Sequence, residues 1–407
     1  RMSAVPPLER CLNQSNMILI PSPVERFLFQ VVFPAQFIVV ILGNCLTLTV
    51  LLSGTVNRAN RLLACLALCD CCVFIAMAPL AMTSYETFAF STTFRIFNFE
   101  SKTTLAFLIN WFTAASIFFV LAISVERLLI IKFPFRSLNH NQTKQVTLVA
   151  TAIMIVTFFL TGYHYFSFVC LTQKICYGTQ VRGICVPPTS PSLTKMGRAR
   201  AVPEFILNIL PLWTTLNIAF GVLVPIFVVI VINISLLRII KRSNNQHQEL
   251  VRTASMSRRS DEQEKNMTRA IVSIVSCFSL TQSPSAVMYI SSEIGKIYNL
   301  AYVTEAWFSN LWAVVNSLVL TGKMLNVVLF CLTSATFRHR LLCTVTRWCY
   351  KAGICKRPPL NRDPSRSLLT QKSSLASLPT NRRSVRGTPS EHIPMRTFPF
   401  PSNYDDE

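Results

Sequence analysis

Charge is scarce in this chain. Only 14% of its 407 residues are Asp, Glu, Lys or Arg, against about 25% in a soluble domain, and 51% are hydrophobic. That composition cannot cover a large water-facing surface. Acids are the scarcer sign, 18 against 39 bases, for a net charge of +21. Also missing are a zinc-ligand run, a phosphate loop and a nucleophile elbow, so no enzyme, cofactor or metal centre is expected. Internal repeats and a path of paired charges, which a transporter or channel would predict, are missing too. The first 28 residues hold no apolar core long enough for a cleavable signal peptide. The first spanning segment is therefore expected to act as the insertion signal.

What is present in quantity is long apolar runs. About 20 mostly apolar residues cross about 30 Å of hydrocarbon as a helix, and lipid leaves no alternative for backbone polar groups short of a closed barrel. Seven stretches reach that length, at 29–53, 60–84, 103–132, 146–169, 212–240, 266–292 and 306–332. Asp70 and Lys323 interrupt the second and the seventh. The expected fold is an all-α, seven-transmembrane helix bundle in a lipid bilayer. Basic residues crowd alternate links: Arg58 and Arg61, Lys132 to Lys144, Arg238 to Arg269, and the tail. This positive-inside bias puts the N-terminus outside the cell and the C-terminus in the cytoplasm, in a multi-pass plasma-membrane protein. It also explains the net charge without nucleic acid.

The chain divides into an extracellular tail (1–28), a bundle with an amphipathic helix (29–345, the helix from about 333) and a cytoplasmic tail (346–407) of disorder-type composition. Asn13 heads a glycosylation sequon on the outer side, whereas those at Asn141 and Asn266 fall on the cytoplasmic side. The outer link 170–211 carries Cys170, Cys176 and Cys185. With Cys11 these allow three pairings, or some stay free. Residues 241–265 read as a polar inner loop. Cys343, Cys349 and Cys355 are palmitoylation candidates; reduced, unmodified thiols are the alternative. The tail serines, Ser365 to Ser377 among them, sit among basic residues where phosphorylation would add charge for an arrestin-type partner.

Polar residues inside spans are costly and mark functional positions by default. Here they are Gly43-Asn44 in the first span, Leu66-Ala-Leu-Cys-Asp70 in the second, Glu126-Arg127-Leu128 ending the third, Pro225 in the fifth, Pro284 in the sixth and Asn326-Val-Val-Leu-Phe330 in the seventh. In this order, one per helix, the set resembles the rhodopsin-like G-protein-coupled receptors over about 29–342. Ile130-Ile-Lys-Phe-Pro134, Phe278-Ser-Leu-Thr-Gln-Ser-Pro284 and Asn326-Val-Val-Leu-Phe-Cys-Leu332 look like the invertebrate receptors for FMRFamide-like and myosuppressin-like peptides. There are departures. Lys102 stands where that family carries the bridging cysteine of the third helix, and the fourth-span Trp is missing. Gln282 replaces the aromatic switch, Asn233 the fifth-helix Tyr, and Val327 and Phe330 the seventh-helix Pro and Tyr.

The resemblance implies a receptor switched by an outer ligand and read by a heterotrimeric G protein at the inner face. It implies an inner clamp in which Glu126 restrains Arg127 and Glu264 reaches Arg127 from the sixth helix; a solvated Glu264 is the alternative. It implies hinges at Pro225 and Pro284, or static kinks. It matches Asp70 and Ser116, near Asn44 and Asn326, to positions that commonly hold sodium. Lys323 is expected to replace that ion as a tethered cation paired with Asp70, the alternatives being snorkelling or a water channel. Ligand-pocket candidates are Glu86, Asn110, Trp111, Gln282, Tyr289, Glu305 and Trp307, against an interfacial aromatic belt. A peptide ending in Arg-Phe-amide would want an acid, and Glu86, Glu293 and Glu305 lie on the outer side. The competing reading is a chemosensory receptor for a small molecule on the same fold.

Overall fold

A computed structural model describes residues 11–52, 58–132, 142–190, 193, 202–250, 258–298, 300–333, 335–351 and 353. The stretches 241–250 and 258–270 are described as backbone only. Cys355, Asn141 and the tail serines lie outside the described residues.

Seven long helices and an eighth, amphipathic one make up most of the described chain. They are α1 (Pro23–Leu52), α2 (Arg58–Met82), α3 (Thr92–Lys132) and α4 (Gln142–Thr161). Next come α5, α6 (Arg258–Ile297), α7 (Ala306–Thr333) and α8 (Ala335–Lys351). Helix α5 joins Glu204–Leu216 and Val224–Leu250 through a wide π turn, Asn217–Leu223. Among the described residues six helices are long and apolar enough to cross a membrane. Large apolar side chains such as Leu42, Ile75, Phe159 and Phe227 point outward, as a lipid-facing surface requires. The inward faces hold the core, centred on Val50, Leu66, Phe119, Val120, Val229 and Phe278.

Several bounds differ from the sequence expectation. Helix α3 starts at Thr92 rather than near 103, because Arg95 turns inward and spends its guanidinium on backbone carbonyls. Helix α5 starts at Glu204 rather than 212, with Pro203 as its N-cap residue. The polar stretch 241–265 is helical at both ends, since Gln, Glu, Lys and Arg are good helix formers once water replaces lipid. Helix α8 runs through Lys351, so the expected boundary at 345/346 falls inside it. It packs on α1 and α7, with Leu341 against the core.

A hairpin closes one end of the bundle. Strands β1 (Val169–Ile175) and β2 (Gln180–Val186) pair antiparallel, with Cys170 opposite Cys185. That register makes their disulfide, and Cys11 is bridged to Cys176. The turn runs through Cys176, Tyr177 and Gly178, all at positive φ. Two of the three are not glycine, a conformation that costs free energy and that the Cys11 bridge helps hold. Both strands pack on α3. Gly183 permits this: a Cβ there would meet the Phe99 ring at 2.2 Å.

Candidate functional site

The mid-membrane site is built by α2, α3 and α7. Asp70 is 1% exposed, Ser116 0% and Lys323 0%. Lys323 Nζ lies 2.6 Å from Asp70 Oδ1, and the Ser116 hydroxyl donates to the same oxygen at 2.9 Å. Lys323 is preceded by Gly322. A Cβ at Gly322 would meet Thr281 Oγ1 at 2.1 Å, so the glycine lets α7 close on α6. Each charge alone would be very costly to bury; together they offset much of that cost. A sodium ion does not fit these residues. The ammonium already sits on the carboxylate, and a second cation would face it at close range. Asn44 and Asn326 are buried beside Asp70 and open with it onto a cavity of about 30 Å³, roomy enough for ordered water.

At the end bearing α8, Arg127 is buried. Its neighbour Glu126 pairs with Arg58 of α2 at 3.9 Å. Arg58 also donates to Gln145 of α4. The Glu264 side chain lies outside the described residues, so the proposed clamp has no geometry here. Pro284 lies inside α6. Pro225 lies in the first turn of helix past the π turn of α5, with Val224 between, and the π turn accommodates the hydrogen bond that a proline cannot donate.

At the hairpin end the seven pocket candidates do not converge. Glu86 and Glu305 are exposed, and Trp307 is 56% exposed beside Tyr302 and Phe308. Asn110 donates to the Ala106 carbonyl of its own helix. Trp111 turns to α4, donating to the Met154 carbonyl at 3.0 Å, in an apolar groove shared with Phe158. Only Gln282 and Tyr289 face inward. Gln282 is 4% exposed and its Nε2 has no hydrogen-bond partner among the described residues. Tyr289 meets Tyr163, in the 3-10 turn just past α4, hydroxyl to hydroxyl, and Asn217 of α5 donates to Tyr163 Oη at 3.3 Å. Glu293 lies within electrostatic reach of both tyrosines, and Trp312 of α7 flanks Tyr289. Sequence reading missed Tyr163, Asn217 and Trp312. An Asn inside the fifth apolar run was the available signal.

Residues 43–329 match the family model described as the 7 transmembrane receptor (rhodopsin family). The chain is 33% identical over 393 residues to a Caenorhabditis elegans protein named as a G-protein coupled receptor, covering 95% of this chain and 87% of that one. It is 25% identical over 335 residues to a Danio rerio protein named as galanin receptor 2a, covering 80% and 81%.

Proposed function

Because the chain belongs to the rhodopsin family of seven-transmembrane receptors, a G-protein-coupled class and not an enzyme, we propose that its ligand is a peptide of the FMRFamide-like type. The hairpin end then faces outward at the plasma membrane, with Asn13, exposed there, carrying a glycan. The α8 end faces the cytoplasm, where Arg127 meets the G protein, Cys343 and Cys349 take acyl chains, and a phosphorylated tail recruits arrestin.

The observation that carries the ligand class is the polar corner of Tyr163, Tyr289 and Asn217, with Glu293 beside it. It joins the end of α4, through the turn that follows it, to α5 and α6, whose relative positions must differ between two signalling states. A ligand arginine seated at Glu293, with the adjoining aromatic ring near Trp312, would bind one arrangement better and shift the population. The Danio rerio relative, named for a peptide ligand, supports the same class.

The test is a peptide-library screen in cells with a second-messenger readout, native receptor against Glu293→Gln. An Arg-Phe-amide peptide should activate the native receptor and lose at least about tenfold in potency on the variant, as expected for one charge-assisted contact. Silence to all peptides from a receptor present at the surface would refute the ligand class.

A further inference from the structure

A second polar cavity lies elsewhere, beneath the hairpin at the ends of α1, α2 and α3. It holds about 910 Å³, at the upper end of the range for small-ligand sites. Its roof is held in place. Cys170–Cys185 fixes the strand pair and Cys11–Cys176 ties the N-terminal segment to the turn. Gln180 clasps Leu12 from both sides, accepting from its N–H at 2.7 Å and donating to its carbonyl at 3.3 Å.

Charge in the cavity is lopsided. Arg95, Lys102 and Arg182 line it, against Glu25 alone among acids. Arg95 donates from Nε and Nη1 to the carbonyls of Val181, Met17 and Ala89 at 2.6–2.8 Å, which satisfies those N–H groups without cancelling its charge. Lys102 and Arg182 are exposed into the space and have no carboxylate within ion-pair distance among the described residues. Lys102 is within electrostatic reach of Glu25, and three bases against one acid leave the space with net positive charge. Asn98, only 4% exposed, also lines the space, and its Oδ1 has no hydrogen-bond partner among the described residues. A buried acceptor in that state asks for a donor.

We propose that this cavity binds a small carboxylate-bearing ligand. Its carboxylate meets Lys102 and Arg182, and an adjacent N–H donates to Asn98 Oδ1. Apolar substituents rest on Phe29 and Phe99, which also line the space. A carboxylate one carbon away from an amide N–H describes an N-acyl amino acid and the free C-terminus of a peptide alike. An amidated peptide end has no such charge, so this site differs in ligand chemistry, as in position, from the Tyr163–Tyr289 corner.

The test uses the full-length receptor purified in detergent. Thermal stabilisation and calorimetry are read with N-acetylphenylalanine, its primary amide, a short peptide with a free C-terminus, and inorganic phosphate. Expected is saturable binding of the acid, at least about tenfold tighter than the amide and weakened about tenfold in Lys102→Met and in Arg182→Met. Both side chains are exposed, and unaltered melting of the free variants verifies their folding. If the peptide acid outbinds N-acetylphenylalanine, with the same sensitivity to both variants, the natural source is a peptide terminus; the reverse order marks a small acid. Equal binding of acid and amide, no binding of either acid at millimolar concentration, full affinity in both variants, or phosphate preferred over every carboxylate would overturn the assignment. The readout involves no signalling, so its failure leaves the peptide reading at Glu293 standing, and the converse holds.

Discussion

The mid-membrane pair and the hairpin-end cavity handle charge in opposite ways. Asp70 and Lys323 are both under 2% exposed and neutralise each other at 2.6 Å. At the hairpin end Lys102 and Arg182 face open space with only Glu25 for company. The first arrangement leaves nothing for a mobile ion to bind. The second leaves net charge and a buried amide acceptor for something else to satisfy. Membrane interiors penalise unpaired charge heavily, so the core must resolve its electrostatics internally. The vestibule, in contact with water, can leave them for a ligand.

The largest expected effect would break the first half of that contrast. Lys323→Met strands a buried carboxylate and should cost about 3–5 kcal/mol of stability, read as thermal unfolding in detergent. Pairing it with Asp70→Asn should return most of the loss, so the double-mutant cycle shows strong coupling. A Lys323→Met receptor that melts like the native one would mean the two charges are not mutually dependent. In the native receptor, replacing choline by sodium at constant ionic strength should leave agonist affinity unchanged, and a sodium-dependent shift would break the tethered-cation account directly.

The two regions were also unequally legible in the amino-acid order. Asp70 and Lys323 each stand out as a lone charge in an apolar run, and Asn44, Ser116 and Asn326 fall at family positions around them. The family and the bundle follow from the same runs and motifs. The hairpin-end cavity has no such signature. Glu25, Arg95, Lys102 and Arg182 come from three segments, α1, α3 and β2, and each reads as an ordinary charge near a span end. Their convergence depends on an inward turn of Arg95 and on a hairpin whose disulfide partners parity could not choose. Trp111 shows a further limit. An aromatic inside a span fits a pocket or a lipid-side groove equally well until the helix rotation is known, and α3 turns it toward Met154.

The next effect in size tests whether the vestibule is preorganised. Removing the Cys11–Cys176 bridge with Cys11→Ser and Cys176→Ser should cost about 2–4 kcal/mol, the usual range for a disulfide. Carboxylate affinity should fall with it, because the N-terminal wall and the turn would no longer be held together. Calorimetry with N-acetylphenylalanine reads the second quantity. Undiminished affinity would show that α3 and β2 alone define the site. The Lys323→Met and Asp70→Asn double variant should leave this affinity intact, which separates the two regions experimentally.

A smaller effect is expected between them, at the polar corner. Tyr289→Phe removes one hydroxyl from the contact with Tyr163 and should cost about 0.5–1.5 kcal/mol, seen as up to about a tenfold rise in the peptide concentration for half-maximal signalling. N-acetylphenylalanine binding should not change. If it fell in parallel, the corner and the hairpin-end cavity would be one site.

The smallest effect concerns a third way of placing charge, the partly exposed pair of Arg58 and Glu126 at the α8 end. Their side chains are 24% and 17% exposed and 3.9 Å apart. Water screens such a pair, so its contribution is about 0–1 kcal/mol. Arg58 also spans α2 and α4 through Gln145, whereas Glu126 adjoins Arg127 at the surface where the G protein is proposed to bind. Arg58→Ala should therefore barely change the melting temperature. It should raise basal second-messenger output modestly, by a few-fold at most, the ceiling for a loss of about 1 kcal/mol. A drop in melting temperature as large as that of Lys323→Met would place this pair with the buried one and remove the distinction between exposed and internal charge on which the comparison rests.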